Sequence, residues 1–130
     1  MHKTLLPDGW PRPKGYANGV VAQGDAIIFC GGQIGWTSDE QFEHHDFVGQ
    51  VRQALENVVA VLASAGAGPE HIARMTWYVT NREQYLEDLG AVGRVYRDVI
   101  GKNFPAMSVL EVSALIESEA LVEIEVTAVK

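Results

Sequence analysis

The stretch 121–129 alternates between two kinds of side chain, and this alternation constrains the fold more than any other feature of the chain. Successive side chains of an extended strand point to opposite faces, so the pattern predicts a strand with one apolar and one polar face. The polar face carries Glu123 and Glu125, which should meet water or a polar cleft. The apolar side chains, which should pack on helices, are Val122, Ile124, Val126 and Ala128.

Further apolar runs predict more strands. Residues 107–112 precede the C-terminal strand and are joined to it by a short loop, which indicates two neighbouring strands. Residues 17–22 and 26–32 are separated by a short glycine-containing connection, which is typical of a hairpin. The run at 72–80 is rich in residues that favour strands and predicts a fifth one.

Two helices are predicted between these strands. Apolar residues recur at three- and four-residue steps over 46–65, and Gly66 follows as a stop signal. Asn81 is suited to be the N-cap of a second helix over 81–100, which Gly101 should end.

The order β-β-α-β-α-β-β predicts an α+β fold in which a mixed sheet carries both helices on one face. The opposite face would be left bare by this chain, which favours self-association. We expect a single domain over 1–130, with an irregular N-terminal arm at 1–15 that holds three of the five prolines.

The charge balance narrows the function. Ten Lys and Arg against 17 Asp and Glu give a net charge of −7, which disfavours nucleic acids and anionic membranes as partners. With no predicted signal peptide or membrane span, we expect a cytoplasmic protein. The lone Cys30 is expected to be a buried hydrophobic residue, and the pair His44-His45 lacks the spacing of a metal site.

The chain resembles the RidA (YjgF) family from Tyr16 to Lys130. No single motif is decisive, but their order and spacing together are specific. In chain order they are Gly15-Tyr16, Asn18-Gly19-Val20, Gly32-Gln33-Ile34, VRQALENV at 51–58, Phe104-Pro105-Ala106, Val109-Leu110-Glu111-Val112 and VEIEVTAV at 122–129.

The resemblance implies a chorismate-mutase-like fold and a homotrimer with small-metabolite clefts between subunits. Active family members hydrolyse reactive enamines or imines, such as 2-aminoacrylate, to a 2-oxo acid and ammonia, and they use no metal or organic cofactor. Tyr16, Gly32 and Glu123 match the family pattern, in which the glutamate positions the attacking water. The resemblance therefore makes Glu123 the candidate catalytic residue.

Other positions depart from the family. Met107 stands in place of the arginine that holds the substrate carboxylate, Val109 in place of the usual cysteine, and Gly31 in place of a serine or threonine. The predicted substrate-binding residues are thus Tyr16, Gly31, Gly32, Met107 and Val109. Replacement arginines could come from the second helix, where the candidates are Arg82, Arg94 and Arg97; surface solvation is the simpler interpretation of all three.

Two functions stay open. The first is hydrolytic deamination of an enamine or imine with altered substrate choice, for example one resembling 2-aminomuconate. The second is a non-catalytic trimer that binds a small metabolite, in which Glu123 is a solvated strand carboxylate. RNA cleavage, claimed for some relatives, conflicts with the net charge of −7.

Overall fold

A computed structural model of the chain describes residues 2–130. Its core is one four-stranded sheet covered on one side by helices, with a separate two-stranded sheet near the N-terminus. The elements in chain order are β1 (Lys3–Leu5), β2 (Gly19–Val21), β3 (Ile27–Ile34), α1 (Phe47–Ala63), β4 (Ile72–Val79), α2 (Arg82–Glu87), α3 (Leu89–Val99), β5 (Ala106–Glu111) and β6 (Val122–Val129).

The large sheet has the strand order β3-β6-β4-β5. β6 is antiparallel to both of its neighbours, whereas β4 and β5 are parallel. The predicted mixed sheet and α+β class are therefore confirmed. The predicted pairing of the last two strands is wrong, because the α2–α3 crossover returns β5 parallel to β4, and β4 then separates β5 from β6.

The predicted N-terminal hairpin is also wrong. β2 pairs with β1, so residues 3–5 of the expected irregular arm form a strand. The turn between β2 and β3 is held against the C-terminus, because the backbone N–H groups of Asp25 and Ala26 both donate to the Lys130 carbonyl. A chain reversal that docks on a distant terminus looks in sequence like an ordinary hairpin turn.

Helix α1 (Phe47–Ala63) lies within the predicted range 46–65. The Asp46 carboxylate accepts a hydrogen bond from the Gly49 N–H at 2.8 Å, and Gly66 follows the helix with φ +69°. Asn81 caps α2 as expected. The predicted single helix over 81–100 is instead two helices, since Asp88 leaves helical geometry at φ −105° and ψ 19°.

The two faces of the large sheet differ as the alternation predicts. Trp77 is completely buried beneath the helices, and its neighbour Tyr78 lies on the opposite, open face. Ile27 and Phe29 at the β3 edge are 62% and 78% exposed. Across residues 2–130, none of the helices has both the length and the apolar character needed to cross a lipid bilayer.

Candidate functional site

On the open face, Glu123 is placed by its position in β6. It pairs with Tyr78 of β4, and its half-buried side chain lies over the backbone of Gly32 in β3. A Cβ built on Gly32 would overlap the Glu123 carboxylate, so only glycine leaves room for the side chain in this position. The glycine thereby makes room for the carboxylate at this place.

Glu125 lies two residues further along the same face. Its Oε1 accepts a hydrogen bond from the Tyr78 hydroxyl at 2.6 Å. This bond, with a smaller effect from the nearby carboxylate charges, raises the pKa of Tyr78 above its ordinary value of 10.0. Glu125 is therefore engaged with Tyr78, whereas the Glu123 carboxylate accepts no side-chain hydrogen bond within residues 2–130.

We expect Glu125→Gln to lower the pKa of Tyr78 toward 10.0. The physical reason is that the charged acceptor stabilises the protonated phenol. The hydrogen bond therefore stabilises the folded protein at pH values below the unfolded-state pKa of Tyr78, and this contribution is lost as the pH rises through its folded-state pKa. Absorbance titration at 295 nm measures this shift, and the Tyr78→Phe variant identifies which part of the absorbance change comes from Tyr78. An unchanged titration in Glu125→Gln would contradict the hydrogen bond.

A concavity of about 450 Å³ opens on the other side of the sheet, at the β5 edge. Met107 and Val109 of β5 form its floor, where they pair with Met75 and Trp77 of β4. Its aromatic walls are Tyr16, Trp77, Tyr85, Tyr96 and Phe104. Such a volume and lining are typical of sites for small organic ligands.

The N-terminal segment reaches the concavity because Ala17 pairs with the start of β5. The Ala17 N–H donates to the Pro105 carbonyl at 2.9 Å, and Ala17 forms a parallel bridge with Ala106. Tyr16, 43% exposed, is thereby brought beside Met107.

The polar atoms of two aromatic wall residues, Tyr96 and Trp77, differ in their hydrogen bonding. The Tyr96 hydroxyl donates to the Asn103 carbonyl, and burial raises the pKa of Tyr96. The indole Nε1 of Trp77, by contrast, is buried without a hydrogen-bond partner in the part of the chain that the structure describes. A buried donor without a partner is costly, and because Trp77 is completely buried this donor is not accessible to a ligand in the concavity.

The predicted site residues fall into two groups within one chain. Tyr16, Met107 and Val109 meet in the concavity. Gly32 and Glu123 meet on the open face, which Gly31 also borders. Because the two groups lie on opposite sides of the sheet, one protomer alone does not bring them together.

The sequence prediction missed part of the concavity. Lys14 is at its lining, and so are Tyr85 and Tyr96 of the helices, whereas Arg97, also at the lining, was among the candidate replacement arginines. The signal that could have found the helical residues is the helical spacing of Tyr85, Leu89, Val92 and Tyr96, which places them on one face of the second predicted helix.

The structure also describes the surroundings of the side chains that could bind a metal ion or act as a thiol nucleophile. Among residues 2–130, no group of three or more His, Cys, Asp or Glu side chains is arranged to hold a metal ion. Cys30 is buried on the helix side of β3, and burial raises the pKa of its thiol, which disfavours the nucleophilic thiolate.

The sheet order, the one-sided helices and the open polar face define a chorismate-mutase-like α+β protein of the RidA class. A family model described as "Endoribonuclease L-PSP" matches residues 11–130. The chain belongs to the RidA/YjgF family.

Individual relatives match along most of their length. The chain is 36% identical to RutC family protein UK114 of Drosophila melanogaster, over 85% of this chain and 75% of that protein. It is 31% identical to a 2-iminobutanoate/2-iminopropanoate deaminase of Salmonella typhimurium, over 100% and 99%. The Rid-family protein YyfB of Yersinia pestis, of unknown function, superposes with a TM-score of 0.87 at 28% identity, over 99% and 98%.

Proposed function

We propose that the chain hydrolyses the C=N bond of a reactive imine or enamine metabolite, giving a carbonyl compound and ammonia. Membership of the RidA/YjgF family and the 31% identity to the Salmonella deaminase support the reaction type. The observation that carries the proposal is the Glu123 carboxylate held over Gly32, on a face that helices do not cover.

The proposal includes a homotrimer. Tyr16, Met107 and Val109 line a concavity without a carboxylate, and Glu123 lies on the opposite side of the sheet. A second copy that placed its open face against the concavity would join the two groups into one cleft. The exposed apolar side chains of Ile27 and Phe29 on the open face favour such burial.

In this cleft Glu123 would act as a proton carrier. As the water oxygen bonds to the imine carbon, Glu123 takes a proton from the water and gives it to nitrogen, forming a carbinolamine. It then takes the hydroxyl proton and passes it to nitrogen as the C–N bond breaks and the C=O bond forms. Imine and water thus become carbonyl and ammonia, and the carboxylate is regenerated.

The substrate would differ from that of arginine-containing relatives. Met107 cannot donate a hydrogen bond to a carboxylate, and Val109 beside it is also apolar. The floor therefore suits the carbon skeleton of a larger unsaturated metabolite, such as one resembling 2-aminomuconate.

The apolar Met107 and Val109 also favour a second candidate function, a trimer that binds a small metabolite without turnover. RNA cleavage is a third candidate function, because the matching family is described as an endoribonuclease. A net charge of −7 disfavours RNA, because a nuclease must bind a phosphate backbone.

An imine-trapping assay tests the proposed reaction. An amino acid oxidase generates imines of increasing size from alanine, 2-aminobutyrate, leucine and phenylalanine, and semicarbazide traps each imine that survives. The protein should lower semicarbazone formation in proportion to its concentration for at least one of them. No change for any member of the panel, together with calorimetric binding of the 2-oxo acids, would support the non-catalytic candidate instead.

A further inference from the structure

We propose that Arg97, with Lys14, binds the carboxylate of a ligand whose planar unsaturated or aromatic body occupies the concavity. This inference rests on the proposed function, because it assigns the substrate class of the same site. Arg97 of α3 would supply the guanidinium that Met107 does not provide at position 107.

The structure distinguishes Arg97 from the other two arginines of this region. Arg82 lies 3.7 Å from Glu83, and its backbone N–H donates to Glu111, so it is engaged at the start of α2. Arg94 does not border the concavity, whereas Arg97 and Lys14 do. Within residues 2–130, neither Arg97 nor Lys14 forms an ion pair with an acidic side chain.

The Arg97 side chain lies over Gly93. The Nη1 atom of Arg97 lies 3.6 Å from the place that a Cβ on Gly93 would occupy, so the guanidinium folds back one helical turn over the glycine. Gly93 itself lines the concavity. The cationic group therefore lies where an anion entering the concavity would meet it.

The rest of the lining determines what that anion must carry. The accessible aromatic side chains of Tyr16, Tyr85 and Phe104 and the apolar floor of Met107 and Val109 offer planar and hydrophobic contact. A volume of about 450 Å³ leaves a three- or four-carbon imine loosely held, whereas an aromatic side chain makes contact with the walls. The predicted class is thus a 2-imino or 2-enamino acid with an extended unsaturated or aromatic substituent.

Stable analogues separate recognition of the carboxylate from recognition of the aromatic ring. Phenylpyruvate carries both the carboxylate and the ring, 2-oxobutanoate carries the carboxylate without the ring, and phenylacetamide carries the ring without a charge. Isothermal titration of the wild-type protein should give an affinity for phenylpyruvate at least tenfold higher than for 2-oxobutanoate.

Two arginine variants locate the anion site. Arg97→Gln should weaken phenylpyruvate binding about fivefold, the size expected of an ion pair at a solvent-exposed position, and leave phenylacetamide unchanged. Arg94 is the matched control, because its Nη1 also lies 3.6 Å from the Cβ position of a glycine, Gly90, on the same helix. Arg94→Gln should bind all three probes as the wild type does.

Equal losses in both variants would show a general charge effect and overturn the assignment of Arg97. Tighter binding of 2-oxobutanoate than of phenylpyruvate would overturn the substrate class. Both results concern binding alone, so either leaves the imine-trapping assay free to support the deaminase. Conversely, the expected binding pattern without imine hydrolysis would keep this inference and reject the proposed reaction.

Discussion

Replacing Glu123 with glutamine should lower kcat/KM for imine hydrolysis by about 10²–10⁴-fold, the usual contribution of a positioned general acid or base. Glutamine keeps the length and shape of the side chain, and it can still lie over Gly32. It cannot accept a proton from the attacking water at neutral pH. The loss should therefore fall mainly on kcat, because in the proposed cleft the ring and carboxylate of the substrate would be bound by the other half.

Glu125→Gln is the control for this experiment. Glu125 lies on the same strand and the same face, but its carboxylate is bonded to the Tyr78 hydroxyl. This variant removes the same charge from the open face and should keep most of the wild-type rate. Rates in Glu123→Gln that match those of Glu125→Gln would reject Glu123 as the proton carrier, provided that both variants melt within a few degrees of the wild type.

A second variant tests whether the position of the Glu123 carboxylate matters, in addition to its presence. In Gly32→Ala the added Cβ would overlap the Glu123 carboxylate, so the side chain must move while remaining charged. We expect a loss of kcat in this variant as well. If instead it hydrolysed imines at the wild-type rate, the close packing of Glu123 on Gly32 would have no catalytic role.

The parts of the fold that the sequence predicts are those set by local patterns. The alternation in β6 correctly assigned Glu123 and Glu125 to one face and the apolar residues to the core. The end of α1 and the start of α2 were found because Gly66 and Asn81 are specific capping signals. Each of these signals acts within a few residues.

Strand neighbours could not be predicted in the same way. Alternation determines which side chains share a face, but two strands of similar pattern can lie side by side or with a third between them. β5 follows a crossover and pairs with β4, and β2 pairs with β1 rather than β3. The concavity depends on these long-range pairings, since Ala17 must reach Ala106 before Tyr16 lies beside Met107.

One buried polar residue was also missed, although a signal was present. Gln50 lies on the apolar stripe of α1, three residues after Phe47, and it is completely buried. A glutamine on the core-facing side of a helix needs hydrogen-bond partners. The His44 carbonyl is a local partner, but the other two partners lie about 70 residues away in the β5–β6 loop, and no local pattern shows them.

Gln50→Met should lower the free energy of unfolding by about 3 kcal/mol, because it leaves several backbone groups without a partner. The Gln50 amide donates to the carbonyls of Glu119 at 2.9 Å and of His44 at 3.1 Å, and its Oε1 accepts from the Leu121 N–H at 2.8 Å. Methionine fills a similar volume and keeps the Cβ that packs against Gly35. The loss therefore comes from the hydrogen bonds rather than from a cavity.

Gln53→Met is the matched control, since Gln53 lies one turn further along α1 and its amide donates only to the Asn57 side chain. It should cost less than about 1 kcal/mol. Urea titrations at one protein concentration compare the two variants, so that any subunit association contributes equally. The β5–β6 loop leads directly into the strand that carries Glu123, and Gln50→Met should therefore also reduce imine hydrolysis under conditions in which the protein is still folded. Equal stability of the two variants would show that the hydrogen bonds of Gln50 do not hold this loop to α1.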